Sequence, residues 1–335
     1  MNLLPVVNRY FKGNLHTHTN ISDGEMTPQE AVDLYRKLGY QFLCLSDHNV
    51  IANHSEKNTE DFLMITGVEI NVNDEQYTPS KGYTGQTYHM LMIAKEADNP
   101  WQPIAPWQRE TSLPYLPLIK NDTMRREYDL EAINDMIARA NEKGFLVAYC
   151  HPEWSGQSYP DYSGLKGLWA VEVRNNVCTK EGLDLNNSWV YQDFLELGNR
   201  MCPLGSDDAH HNYETGGAWI MVGAEKLEYA SVISALEKGD FYASCGPEIH
   251  SLTLEEGKLT VTCSDAARIC LHSQCRFGKS VSAQPGQALN RGEFDVTKWL
   301  ELSADDPNAF LRVAVYAPNG TFAATRAYWM NELKG

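Results

Sequence analysis

The sequence predicts a parallel α/β architecture, either a barrel or an open sheet, followed by a small antiparallel β region. Over residues 10–245, short apolar runs alternate with helical patterns, as βα units do. After Gly246-Pro247 the runs become short and alternating, with turn residues between them. We therefore predict a first domain over residues 1–245 and a second, all-β domain over residues 246–335 of the 335-residue chain.

Seven short segments are predicted to be strands of the first domain. Most of them are apolar on both faces, as in a sheet covered by helices. They lie at 13–18, 41–46, 62–70, 87–94, 145–150, 168–173 and 200–206. Helical patterns lie between and after them, at 27–38, 128–143, 186–197 and 227–238. The first helix carries a start signal, because Thr27 is followed by Pro28 and, three residues on, by Glu30. Residues 74–127 form an irregular insertion apart from the strand at 87–94.

The second domain alternates at 251–254, 258–263, 268–272 and 310–316, and no helix pattern stands out there. We expect a small antiparallel, β-sandwich-like domain. Eight cysteines are spread singly without a CxxC pair, which favours free thiols in a reducing, cytoplasmic compartment.

Charge limits the classes of partner. The chain holds 28 basic and 44 acidic residues, which gives a formal net charge of −16. Residues 1–245 hold 19 of the basic and 34 of the acidic residues. This excess disfavours a broad nucleic-acid or anionic lipid surface, leaving at most a nucleotide or a strand end. No long apolar run predicts a membrane span, and residues 1–10 do not read as a secretory signal.

Histidines and carboxylates recur where the predicted strands end. His16 and His18 form an HxH pair whose rings share one face of a strand, and Asp208 and His210 form a DxH pair. Four further residues lie at or near strand ends or within a strand: His48, Glu69, His89 and His151. Each motif alone is weak, but together they form a sulfur-free N/O ligand set at the edge where α/β folds build active sites.

These motifs, in their order along the chain, resemble those of the PHP (polymerase and histidinol phosphatase) metal-dependent phosphoesterases. The matching segments are 14–24 (NLHTHTNISDG), 45–49 (LSDHN), 67–70 (GVEI), 150–152 (CHP) and 205–210 (GSDDAH). Residues 238–248 also resemble the join to a C-terminal β domain. The resemblance implies a distorted (β/α)7 barrel.

It also implies three groups of ligands. The first group is His16, His18, Glu69 and Asp208. Glu69 would bridge to a second group with His89 and His151. The third group is Asp23, His48 and His210; Asp23 takes a place where some members carry histidine. Asp208 rather than the adjacent Asp207 is the expected ligand, because it is spaced as DxH with His210.

The implied function is a metal-dependent phosphoesterase that cleaves a phosphate ester of a small metabolite or nucleotide with a hydroxide bridging two metal ions. Two or three Mn²⁺, Fe²⁺ or Zn²⁺ ions would offset the substrate's negative charge and lower the pKa of water. Catalytic roles are expected for Asp208 and His210, with His211 as a general acid and Arg174 as a phosphate ligand. Asp47 either orients a ligand ring or closes a strand, and residues 101–115 either cap the pocket or pack as a loop.

Three other functions stay open. The same metals could hydrolyse a C–N or C–O bond, or the chain could be an exonuclease acting at a nucleotide end. It could also be a binding protein with a vestigial barrel, although no expected ligand is missing. His54, His250 and His272 match no motif and are expected to be structural. The sequence does not choose the native metal, the substrate or the oligomeric state.

Overall fold

The computed structural model describes residues 1–74, 85–183, 188–274 and 276–334 of the chain. The first part contains eleven strands in these ranges: β1 Phe11–Asn14, β2 Phe42–Leu45, β3 Leu63–Asn73, β4 Thr87–Ala94, β5 Trp101–Gln102, β6 Lys120–Asn121, β7 Phe145–Tyr149, β8 Ala170–Asn175, β9 Cys202–Ser206, β10 Trp219–Val222 and β11 Phe241–Ser244. Its α-helices are α1 Pro28–Lys37, α2 Leu130–Glu142, α3 Tyr159–Tyr162, α4 Asn176–Lys180, α5 Ser188–Glu196 and α6 Tyr229–Lys238.

The second part is mostly β. Its strands are β12 Ile249–Glu255, β13 Lys258–Ala266, β14 Arg268–Ser273, β15 Gly278–Ser282, β16 Leu289–Asp295, β17 Phe310–Tyr316, β18 Phe322–Thr325 and β19 Tyr328–Trp329. Two short helices accompany them, α7 Thr297–Leu302 and α8 Met330–Leu333. The sequence predicted no helix here. Each helix spans fewer than two turns, too short for an apolar repeat to emerge from the sequence.

The start of α1 follows the capping signal in its sequence. The Thr27 hydroxyl accepts a hydrogen bond from the backbone N–H of Glu30, and the Glu30 carboxylate accepts one from the backbone N–H of Thr27. At α2, the Asp129 side chain accepts from the N–H of Ala132. The predicted start of α5 lies at residues 186–187, outside the described residues, and its described part begins at Ser188.

Seven strands succeed one another in one sheet in the order β1-β2-β3-β4-β7-β8-β9. The two ends of this order approach each other, because the backbone beyond β1 pairs with the backbone beyond β9. His18 donates its N–H to the carbonyl of Ala209 at 2.9 Å, and Asp208 donates to that of His16 at 2.9 Å. These bonds bring the first and last strands of the order together, an arrangement compatible with the expected distorted (β/α)7 barrel.

The direction of β4 departs from the predicted all-parallel sheet. This strand is antiparallel both to β3, where His89 lies opposite Asn71, and to β7. A strand that is buried on both faces reads the same in either direction, so its apolar run could not reveal this. The reversal places the beginning of β4, with His89, at the edge where β3 ends.

The second part packs as two sheets. Strands β15, β14, β17 and β18 continue the large sheet through β11, while β12, β13 and β16 form a separate three-stranded sheet. An apolar core that includes Leu252, Val261, Leu271 and Val313 lies between these strands. The division of the chain at residues 245–246 stays a prediction, since the sheet runs on across it through the pairing of β11 with β18.

The seven described cysteines are buried free thiols, and Cys275 lies outside the described residues. Among the helices that the structure describes, none has both the length and the apolar character needed to cross a membrane.

The packing of β9 against β10 and β11 depends on a close backbone approach at Gly205 in β9. A β-carbon built at this position would lie 2.8 Å from the carbonyl oxygen of Trp219 and 3.4 Å from that of Ser244. Both atoms are backbone, so neither can rotate away. We expect Gly205→Ala to lower the free energy of unfolding by about 1–3 kcal/mol, measured by urea denaturation.

The matched control is Gly278→Ala, where the nearest atom to a built β-carbon is the Leu271 carbonyl oxygen at 3.5 Å. An equal loss of stability in both variants would contradict the packing constraint at Gly205.

Candidate metal centre

The nine predicted metal ligands come together at one edge of the large sheet, and we call them the His–carboxylate cluster. Its members are His16, His18, Asp23, His48, Glu69, His89, His151, Asp208 and His210. Seven of them are buried, and Asp23 and His210 are the two that reach solvent. They come from the loops after β1, β2, β7 and β9 and from β3 and β4.

Four ligand atoms of the first predicted group face one another. The Nε2 atom of His16 lies 3.1 Å from Glu69 Oε2 and 3.1 Å from Asp208 Oδ1. The Nε2 atom of His18 lies 3.1 and 3.0 Å from the same two oxygens. All four atoms are buried, and none has a hydrogen-bond partner among the described residues.

Ligands about 2.0–2.1 Å from a tetrahedral cation lie about 3.3 Å from one another. The spacing and the orphaned atoms therefore fit a divalent cation.

The other oxygens of the two carboxylates face the second predicted group. Glu69 Oε1 lies 2.8 Å from His89 Nδ1 and 3.2 Å from His151 Nε2. Asp208 Oδ2 lies 3.6 Å from the same nitrogen of His151. Glu69 thus presents one oxygen to each of two neighbouring groups, the arrangement of a bridging carboxylate.

The third predicted group gathers around Asp23. Its carboxylate lies 3.7 Å from His48 Nε2, 3.6 Å from His210 Nε2 and 3.7 Å from His18 Nδ1. His18 therefore faces the first group with Nε2 and the third with Nδ1. A neutral imidazole carries only one free lone pair, so His18 can serve one of the two groups at a time.

Electrostatics keep the two central carboxyls ionised. Burial alone would raise their pKa values, yet the surrounding imidazoles hold the pKa of both well below its usual range. His16 contributes most to this lowering at Glu69 and at Asp208. Both side chains are thus in the anionic form that a cation requires.

Glu172 fixes the orientation of His16. Its carboxylate lies 2.7 Å from His16 Nδ1, so His16 donates from Nδ1 and leaves Nε2 free for the first group. Glu172 also accepts from the backbone N–H of His151 at 3.0 Å, from the Nδ2 amide of Asn175 at 3.1 Å and from the Ser206 hydroxyl. It is itself fully buried.

Two aspartates that neighbour ligands in the sequence accept hydrogen bonds from backbone N–H and hydroxyl groups rather than from ligand rings. Asp47 accepts from the N–H and hydroxyl groups of both Thr19 and Ser22, so it orients the loop that carries Asp23. Asp207 accepts from the N–H groups of residues 216–218 and from the Tyr35 hydroxyl. Its oxygens are occupied, which supports the choice of Asp208 as the ligand.

The backbone is strained at the same place. Asn49, His151 and Asp208 have φ angles of +54°, +24° and +55°, a region that side chains other than glycine seldom adopt. Each lies in the cluster or next to one of its members. Strain of this kind persists where surrounding contacts enforce it, and it concentrates at functional sites.

Of the two remaining predicted catalytic residues, one lines the cavity over the cluster and the other does not. His211 lines the cavity over the cluster, and its Nδ1 lies 3.0 Å from Glu25 Oε2. That hydrogen bond raises the pKa of His211. Arg174 lies at the end of β8, beside the irregularity in its pairing with β9, and is not among the residues that line the cavity.

Sequence reasoning missed Asn175 and Trp154. The Asn175 amide donates to Glu172 and Asp208, both at 3.1 Å, while its carbonyl oxygen caps α4. Its position at a strand end was the available signal. The Trp154 ring lies 5.0 Å from that of His151, and Trp107, from the predicted cap, lies 5.4 Å from His48.

A family comparison agrees with this geometry. The family model described as the PHP domain matches residues 14–104. The match includes six members of the cluster, from His16 to His89, and the PHP resemblance of the later segments rests on their motifs. No curated protein sequence matches the chain.

Several solved structures are similar to the chain at low identity. One is a two-domain protein from Bacteroides vulgatus containing a predicted PHP-like metal-dependent phosphoesterase, with 15% identity, 98% of both chains covered and a TM-score of 0.46. An amidohydrolase from Chromobacterium violaceum shares 14% identity over 68% of this chain and 96% of its own, with a TM-score of 0.42. A lesion-specific endonuclease from Pyrococcus furiosus shares 12% identity over 68% of this chain and 56% of its own, with a TM-score of 0.41.

We expect His18→Ala and Asp208→Asn to reduce the metal bound per chain, because the first removes an orphaned, buried ligand atom of the first group and the second removes the negative charge of another ligand. The measurement is elemental analysis after loading with Mn²⁺ or Zn²⁺ and dialysis. The control is His250→Ala, an exposed histidine on β12. Metal contents equal to that of the unaltered protein in both ligand variants would contradict the assignment.

Proposed function

We propose that the protein is a metal-dependent phosphoesterase that hydrolyses a phosphate ester of a small anionic metabolite or nucleotide. The observation that carries the proposal is the convergence of nine His, Asp and Glu side chains, of which seven line one cavity and several have orphaned ligand atoms. Two or three divalent ions there would supply positive charge and a water molecule of lowered pKa. Manganese, iron and zinc all suit this donor set.

Different residues of the chain would have different roles in the reaction. Glu69 and Asp208, each facing two groups, would set the spacing between neighbouring ions. Glu172 and Asn175 would hold the ligands in place. His210, half-buried in the cavity wall, would complete the third group, and His211 at the mouth is the proposed proton donor to the leaving oxygen.

The shape of the site suits a small substrate with a planar part. The cavity directly over the cluster has a volume of about 280 Å³, and an adjoining cavity has about 680 Å³. Trp154 lines both, and Trp107 lines the larger one together with Asn71, Asn73 and Thr87. Indole rings beside amide and hydroxyl groups can stack a ring and bind its polar edge.

One observation favours a second candidate, hydrolysis of a C–N or C–O bond. Among the described residues that line these two cavities there is no lysine or arginine, while Asp23, Asp74, Glu181 and Glu214 are present. A phosphate would depend on the metal ions and on a protonated His211 for charge compensation. A neutral carbonyl substrate would not need that compensation.

A substrate panel separates the two candidates. With Mn²⁺, we expect phosphate release from an aryl phosphate or a nucleoside monophosphate, and loss of that activity in His16→Ala and Asp208→Ala, with His250→Ala unchanged. Free phosphate is measured against hydrolysis of amides and lactones. Cleavage of amides or lactones without phosphate release would replace the first candidate by the second.

The role of His211 is testable through the leaving group. A proton donor matters most when the departing oxygen is a poor leaving group. We expect His211→Ala to lower kcat about 10²-fold or more for an alkyl phosphate, with a much smaller effect for p-nitrophenyl phosphate. An equal effect on both substrates would assign His211 a structural role. The control is Tyr213→Ala, which removes the ring stacked on His211 at 5.2 Å.

The cytoplasmic location predicted from cysteine usage stays a prediction, and so does the expectation that nucleic acid would bind at most through a strand end.

A further inference from the structure

A second cavity lies away from the His–carboxylate cluster, where α5 meets the β-rich second part. Its volume is about 400 Å³, within the range of small-molecule sites, and it shares no lining residue with the cavities over the cluster. We call it the arginine cavity, and its lining residues used below are Trp189, Gln192, His272, Arg276, Phe277 and Arg312.

Arg312 on β17 is a buried cation without a carboxylate partner. Only 6% of its surface is exposed. Its Nε and Nη2 atoms donate to one acceptor, the neutral Gln192 Oε1, at 3.0 and 2.8 Å. No ion pair joins Arg312 to a carboxylate in the part of the chain that the structure describes. A buried charge is costly unless it is paired, so this guanidinium is a strong candidate to bind an anion.

Gln192 holds the guanidinium in a defined orientation. Its amide nitrogen donates to Glu196 Oε1 at 2.9 Å and to the Ser273 carbonyl at 3.1 Å, which leaves its oxygen for Arg312. This network ties α5 to β14 and β17. The cavity wall is therefore built from both parts of the chain and is held by hydrogen bonds.

Arg276 adds a second positive charge to the cavity, and His272 adds a neutral polar group. Arg276 is exposed and lines the cavity, so among the described lining residues two guanidinium groups stand against the one carboxylate of Glu196. His272 Nε2 is buried without a hydrogen-bond partner among the described residues. Burial and the neighbouring Arg312 and Arg268 lower the pKa of His272 to about 4, so its ring is neutral near pH 7.

Aromatic side chains form the remaining walls. Trp189 is 79% exposed, unusual for so large an apolar side chain. Phe277 and Tyr316 are half-buried on the other side. Flat rings beside a pair of guanidinium groups suit a ligand with an apolar ring and an anionic end.

We propose that the arginine cavity binds a small aromatic anion, whose carboxylate or phosphate group pairs with Arg312 and Arg276 and whose ring packs against Trp189 and Phe277. The cavity volume fits a single small molecule. The site is independent of the proposed hydrolysis, since it does not involve the His–carboxylate cluster.

The test is isothermal titration calorimetry of the full chain with benzoate, with phenylphosphonate, which has no ester bond to cleave, and with neutral benzyl alcohol. We expect one molecule of at least one anion per chain, with the alcohol binding at least tenfold more weakly. Arg276→Ala and Arg312→Gln should each weaken the anion by about tenfold or more, the usual effect of losing a charge-assisted hydrogen bond. The control Arg291→Ala, an exposed arginine on β16, should bind normally.

The two probes distinguish the source of the anionic group, since stronger binding of benzoate or phenylphosphonate assigns a carboxylate or a phosphate. Arg276 is exposed, so its variant decides the matter even if Arg312→Gln does not fold. Failure of both anions to bind, or binding that Arg276→Ala leaves unchanged, would overturn the proposal. Binding that is lost in His18→Ala but kept in Arg276→Ala would place the anion at the cluster and also overturn it.

Discussion

Two carboxylates, Glu69 and Asp208, lie in the interior of the first part with almost no access to water. Charge in such a place must be compensated, and the compensation here comes from imidazole rings that surround both groups. The orphaned nitrogen and oxygen atoms between them are what a cation would satisfy. These side chains are held in position by the surrounding loops, by a strained backbone and by the polar groups around the ligands.

Buried residues that do not line the cavities over the cluster hold its ligands and loops in place. Asp207 gathers three consecutive backbone N–H groups, Asp47 holds the loop between β1 and α1, and Glu172 orients His16. Their oxygens accept hydrogen bonds from backbone N–H groups, from buried hydroxyl and amide groups and, at Glu172, from a ligand ring. Rotation of a ligand would therefore break hydrogen bonds that have no access to water.

Charge is distributed differently in the two parts of the chain. Residues 1–245 carry most of the net charge of −16, and three of their carboxylates belong to the cluster, so bound cations would change the field at that cavity most. The second part contributes Arg276 and Arg312 to a cavity whose described lining residues include one carboxylate, that of Glu196. The two cavities are thus physically different, since one is lined by carboxylates and imidazoles and the other by guanidinium groups and aromatic rings.

The sequence by itself predicted the β-rich second part, the main helices and the nine members of the cluster, eight of which belong to short motifs near strand ends while His89 lies within a strand. Only the tertiary structure decided the direction of β4, the partners of Glu172 and the contact of Arg312 with Gln192, 120 residues away. A strand buried on both faces carries no sign of its direction. Contacts between distant segments leave no local pattern, since they arise when separate elements pack together.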